Sequence, residues 1–239
     1  MNLFLFVAVP YAAVAVAVVG GIVRYRRDRF SWSTQSSQFL ENRVLFWGSN
    51  AWHYAILLIL GAHVLAFFFP SAWSSLLGGT TRLYALEVTG YGLAFLAGLG
   101  LALLIVRRLA SRGLLRLTTT ADWLLLAVLA FQIVTGTYVA LAYRFGGAWY
   151  PHVAVPWLRS LFTLHPQIDT IAAMPWPIKA HAVGGFALLF LFPYTRLVHV
   201  VSYPLGYLRR PYQLVIWNRR RPGSEKGARG RTPHPAPGR

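Results

Sequence analysis

A chain of 239 residues could form one domain or two small ones, but 56% hydrophobic against 12% charged residues is far from the roughly 25% charge of a soluble domain. Twenty-three Lys and Arg oppose six Asp and Glu for a formal charge of +17. A mean hydropathy of +0.49 argues against the basic nucleic-acid module that this charge would otherwise suggest, leaving an integral membrane protein with its charge in the loops. The absence of Cys excludes disulfides, thiolate zinc sites, Cys-ligated iron–sulfur clusters and covalent Cys-x-x-Cys-His haem attachment within this chain.

Five stretches, at about residues 3–23, 46–69, 83–106, 121–142 and 178–201, are long and apolar enough to cross roughly 30 Å of hydrocarbon as helices. The expected fold class is an all-α bundle of five transmembrane helices occupying residues 1–218. In the first stretch the positive charge follows the apolar run, as Arg24, Arg26, Arg27 and Arg29. A signal peptide has its charge in front, so this reads as a retained helix with its N-terminus outside.

The distribution of basic residues agrees. Eighteen lie in the segment between the first two spans, between the third and fourth, and after residue 201, against four (Arg82, Arg144, Arg159 and Lys179) on the other side. The positive-inside rule then places the N-terminus outside and the C-terminus in the cytoplasm. Residues 143–177 form a long outer loop with Trp149, Trp157 and Trp176, which suggests an interfacial or re-entrant helix. Residues 219–239 are dominated by Arg, Gly and Pro and are expected to be a basic, disordered cytoplasmic tail.

Four of the seven His fall inside spans: His53 and His63 in the second, His181 and His199 in the fifth. Ionisable groups in a membrane are costly and mark function, although a single His also serves as hydrogen-bonding glue between helices. His53 and His63 are about 15 Å apart along a helix and about 80° apart around it. His181 and His199 are eighteen residues apart, five full helical turns, and so share a face about 27 Å long. Neither helix can place both of its His on one metal, so pairs must form between helices. The two helices run in opposite directions. His53 therefore meets His199 near the inner side and His63 meets His181 further out.

Zinc calls for three or four protein ligands, and a proton relay calls for carboxylates, of which only Glu87 lies near a span interior. Two stacked bis-His b-type haems fit the pattern best, with Gly61, Ala62, Ala180, Gly184 and Gly185 making room beside the ligands. With both axial positions filled, such iron carries electrons and does not bind oxygen.

These residues resemble the gamma subunit of membrane-bound respiratory nitrate reductase, a di-haem cytochrome b. The resemblance covers roughly residues 1–217. It rests on Arg24-Tyr25 to Trp32 followed by Ser36-Ser37-Gln38, on the His53-x9-His63 and His181-x17-His199 spacings, and on Thr118-Thr119-Thr120-Ala121-Asp122. Phe192-Pro193-Tyr194-Thr195-Arg196-Leu197-Val198-His199 and the Tyr207-Leu208-Arg209…Tyr212-Gln213-Leu214-Val215 end complete it.

The resemblance implies a prokaryotic plasma (inner) membrane protein that anchors a molybdenum-containing alpha subunit and an iron–sulfur beta subunit on the cytoplasmic face. It implies oxidation of menaquinol or ubiquinol near the outer face, with nitrate chemistry left to the partner. His53 and His199 would ligate the proximal, inner haem, and His63 and His181 the distal, outer haem. The family's quinol site lies beside the distal haem with a basic residue at the start of the third helix, which corresponds to Arg82. Lys179 stands where the family pattern has Arg. The outer loop departs from the pattern: it is Pro-rich and lacks Gly-Gly after His165.

Arg196 and Arg108 are candidates for the haem propionates. Arg196 could instead snorkel to phosphates, and Arg108 could be a stop-transfer arginine. Asp122 with Thr118–Thr120 suggests a helix cap. Glu87 is either a quinol proton acceptor or an interface residue beside Arg82. Two other functions fit the composition. One is a di-haem quinol-oxidising subunit of a related sulfur-compound or heterodisulfide reductase. The other is a non-redox anchor or transporter using His for protons or metal.

Overall fold

The computed structural model describes residues 1–32 and 43–202. The expected tail, the 218/219 boundary, the Ser36-Ser37-Gln38 motif and the Tyr207–Val215 motif lie outside the described residues. The described chain is helical: a π-helical turn Phe4–Ala8 leads into α1 (Val9–Arg27), followed by α2 (Arg43–Phe68), α3 (Pro70–Leu76), α4 (Thr80–Ala110), α5 (Arg112–Leu117), α6 (Thr120–Ala142), α7 (Gly146–Phe162), α8 (Asp169–Ala172) and α9 (Trp176–Leu191). Five helical stretches are long and apolar enough to cross a membrane: Phe4–Arg27, Arg43–Phe68, Thr80–Ala110, Thr120–Ala142 and Trp176–Tyr194. The chain is thus a multi-pass membrane protein, and the five expected spans are all present.

Small residues set the packing of α2 against α4. A Cβ on Gly100 would lie 2.5 Å from the Trp52 nitrogen and 2.9 Å from the Gly48 carbonyl oxygen, so only glycine permits this backbone approach, the usual device for helix association in lipid. Trp52, Ala55, Ala97, Leu101 and Leu126 fill the contact. On the other side α9 packs on α6 and α1. The two His-bearing helices, α2 and α9, barely touch each other.

Proline and its neighbours shape the helix ends. Pro70 starts α3 directly after α2, and Arg159 of α7 donates to the Phe67 and Phe68 carbonyls at the end of α2. The start of α6 is a capping box: the Asp122 N–H donates to the Thr119 hydroxyl, and the Thr119 N–H donates to the Asp122 carboxylate. This agrees with the cap expected there and fixes Thr119 as the capping residue.

The fifth span departs from expectation. The predicted helix over 178–201 is not continuous. It ends at Leu191 and gives way to two 3₁₀ turns, Phe192–Tyr194 and Arg196–Val198, separated by extended Thr195 at φ −122°, ψ −176°. Pro193 has no N–H to continue the ladder, and the Thr195 hydroxyl accepts from the Leu197 N–H to begin the second turn. Arg24 of α1 closes the break by donating to the Pro193 and Thr195 carbonyls, both at 2.9 Å. The five full helical turns assumed between His181 and His199 therefore do not exist.

The outer loop folds into α7 and α8, as an interfacial element should. It packs on a core of Phe6, Trp157, Ile171 and Ile178. Phe145, at φ 61°, turns the chain into α7 through the left-handed region. Pro151 inside α7 leaves the Gly147 carbonyl without its helical donor, and the Trp73 indole N–H supplies one at 2.9 Å.

Candidate functional site

His53 and His63 lie on α2, His181 on α9 and His199 in the segment beyond it. At the Arg-rich end, His53 and His199 face each other with ring centroids 6.0 Å apart and planes at 71°. Two imidazoles on opposite sides of one metal need about 2.0–2.1 Å for each metal–nitrogen bond plus the distance from nitrogen to ring centre, or about 6 Å in all. The inner pair meets that requirement.

The ring nitrogens are set up for the same task. His53 Nδ1 lies 2.7 Å from the Ser49 carbonyl oxygen, His63 Nδ1 2.8 Å from that of Ile59, and His199 Nδ1 2.6 Å from that of Arg196. A carbonyl can only accept, so each Nδ1 carries a proton, which makes Nε2 the nitrogen that a neutral ring would offer to a metal. His181 reaches the same state through a side chain. The Thr135 hydroxyl donates to the Phe131 carbonyl at 2.7 Å, so it accepts from His181 Nδ1 at 3.2 Å. Backbone and hydroxyl partners of this kind hold a metal-ligating His in orientation.

The outer pair is arranged differently. His181 lies against Gly136 of α6, where a Cβ would come within 2.8 Å of its Cε1. His63 makes its ring contact with Tyr150 of α7, with centroids 5.2 Å apart and planes at 72°. Tyr150 is half-buried, and its burial raises the phenol pKa above the ordinary value.

The glycines expected to flank a haem slot do not act alike. A Cβ on Gly61 would meet nothing within 4 Å, so it faces open space. Gly184 instead makes room for the Gln132 side chain, whose Oε1 would collide with a Cβ there. That Oε1 is buried without a hydrogen-bond partner.

Arg196 and Arg108 converge on Asp122, at 3.0 Å and 3.9 Å, and Arg108 also donates to the Thr118 hydroxyl. Asp122 is buried, so protein already supplies one counter-charge, while two cations around one carboxylate leave the group formally +1. Arg196 further links this cluster to His199, whose Nδ1 lies against its carbonyl.

Glu87 has Arg144 as its basic partner, at 3.3 Å, not Arg82. Its Oε1 also accepts from Tyr91 at 2.5 Å and from the Phe145 N–H at 3.2 Å, while Oε2 is buried without a partner. That hydrogen bond raises the pKa of the Arg144 guanidinium. Arg82 folds back over Gly79. Lys179 sits half-buried in the first turn of α9.

Tyr150, Thr135 and Gly136 escape a reading of the sequence. Each acts on a partner in a distant part of the chain, and none carries a local signature. Among the described residues, no cluster of three or more His, Cys, Asp or Glu could hold a metal.

The family profile described as nitrate reductase gamma subunit matches residues 2–218. The nitrate reductase gamma chain of Bacillus subtilis is 32% identical over 216 residues, covering 88% of this chain and 95% of that one. The respiratory nitrate reductase 1 gamma chain of Escherichia coli is 32% identical over 225 residues, covering 90% and 97%. The nitrate reductase-like protein NarX of Mycobacterium tuberculosis is 35% identical over 242 residues, which span 93% of this chain and 36% of that longer protein. The chain belongs to the nitrate reductase gamma subunit family, the membrane-anchoring component of an oxidoreductase complex.

Proposed function

We propose that this chain oxidises quinol near the outer face and delivers the electrons to an iron–sulfur beta subunit on the cytoplasmic face, for nitrate reduction in a molybdenum-containing alpha subunit. The reading places two b-type haems, one between His53 and His199 and one between His63 and His181. When bound, they supply one-electron carriers in series across the membrane. The observation that carries it is the 6.0 Å separation of the inner rings across a gap between otherwise separate helices.

The chain's own residues have distinct tasks. The carbonyls of Ser49, Ile59 and Arg196 and the Thr135 hydroxyl fix the rings, so that Nε2 of each His points its lone pair away from its own support. Arg196 and Arg108 bring positive charge to the inner site, where it suits a carboxylate such as a propionate. At the outer end, Arg82 and Lys179 supply cations for a quinol head group. Glu87 Oε2 is a buried acceptor for one of its protons, and Arg144, on the same carboxylate, is half-exposed. The basic loops lie on the His53/His199 side, which makes that side cytoplasmic and the N-terminus external.

The test is the side on which protons appear. In spheroplasts oxidising quinol with nitrate, an external electrode should register proton release outside, and His63→Ala should abolish it. Release on the cytoplasmic side would overturn the assignment of the outer site.

A further inference from the structure

From the contact between α7 and α2 we infer that Tyr150 is a positioning residue that sets the plane of the His63 imidazole. The inference rests on the reading of His63 as an axial haem ligand. The His63 ring needs two restraints to be fixed. Its Nδ1 bond to the Ile59 carbonyl limits rotation about Cβ–Cγ but leaves the angular latitude that a hydrogen bond tolerates. The Tyr150 ring, packed at 72° and 5.2 Å, supplies the second restraint, in the edge-to-face geometry that aromatic rings prefer.

The Tyr150 ring is itself held in place. Glu87 accepts from the Phe145 N–H just before α7 begins. Trp73 binds the Gly147 carbonyl one turn before Tyr150, and Arg159 ties the far end of α7 to the end of α2. An outer-surface helix thus carries a rigid ring to a ligand inside the membrane. At the inner site, the ring contact of His53 is with His199 itself.

The orientation of an axial imidazole, and the partners that enforce it, tune the electronic structure and potential of the iron it binds. Tyr150 therefore acts on the outer site alone. The experiment uses the assembled complex with three variants: Tyr150→Phe, which keeps the ring; Tyr150→Leu, which removes it; and Tyr150→Met, which removes it at similar length should the Leu variant not assemble. The readouts are haem content, the highest g value of each low-spin ferric signal in electron paramagnetic resonance, and the two midpoint potentials.

We expect Leu or Met to shift the g value and potential of the outer haem and leave those of the inner haem in place, while Phe reproduces the wild type. Unchanged outer-haem signals in the Leu or Met variant with both haems present would overturn the inference. So would a Phe variant that shifts as much as Leu, since the ring would then not be the cause. Wild-type complex with fewer than two haems per chain would instead defeat the parent reading, a result distinguishable from either.

Discussion

Each of the four spanning histidines gives its Nδ1 proton to a neighbouring oxygen, and the quality of that partner sets how well the ring is held. Three use a carbonyl one turn back or less on their own chain. The fourth, His181, depends on Thr135 of another helix. Its neighbour Gly136 gives the sharpest residue-level prediction. Gly136→Ala drives a methyl to within 2.8 Å of the His181 ring, an overpacking that typically costs about 1–3 kcal/mol. Haem content should fall from two towards one per chain, with the outer signal lost; full retention of both would show that the ring yields freely.

Asp122 makes a second prediction. Asp122→Ala removes the reciprocal cap of α6, worth about 1 kcal/mol, and leaves Arg196 and Arg108 without this carboxylate. Asp122→Asn can still accept from Thr119 and loses only the charge. In detergent, the midpoint of thermal unfolding should fall for both and further for Ala. The four histidines were identifiable in the sequence because an ionisable residue in an apolar run stands out against its background. Thr135, Gly136 and Tyr150 were not, because small, hydroxyl and aromatic residues are ordinary in membrane helices, and their role comes from which ring they meet.

The broken end of the fifth span is the element that brings the inner site together. Pro193 is visible in the sequence, yet proline in a membrane helix is compatible with a mild kink as well as a full break. What decides here is Arg24, which lies 169 positions from Pro193 and satisfies the two carbonyls of the broken segment. A bond from a charged donor is worth about 1.5–3 kcal/mol, so Arg24→Ala should loosen the segment that carries His199. The inner-haem signal should then broaden or disappear while the outer one persists; Arg24→Lys should recover part of it. Loss of both signals together would mean that Arg24 serves overall folding only. The same limit applies to Gly184, readable as a small residue beside a ligand but not as the space taken by Gln132. By contrast the five spans and the α6 cap follow from local pattern alone, apolar length and a Thr-x-x-Asp box, and both are present.

At the scale of the whole molecule, α6 packs on both α4 and α9 and so joins two groups of helices. The α2–α4 pair carries His53 and His63. The group of α1, α6 and α9 carries His181, and the segment following α9 carries His199. Helix α7 spans the outer ends of both, bonding to α1 through Trp157 and to α2 through Arg159. His53 and His199 meet between the two groups, while His63 meets Tyr150 of α7 and His181 meets Thr135 and Gly136 of α6.

The proposed function requires two haems between the paired histidines, and a pyridine haemochrome assay on the purified complex measures them directly. The predicted result is two b-type haems per gamma chain, falling to one in His53→Ala and in His63→Ala, with the remaining haem low-spin in each. One haem or none in the wild-type complex, or two retained in either variant, would contradict it.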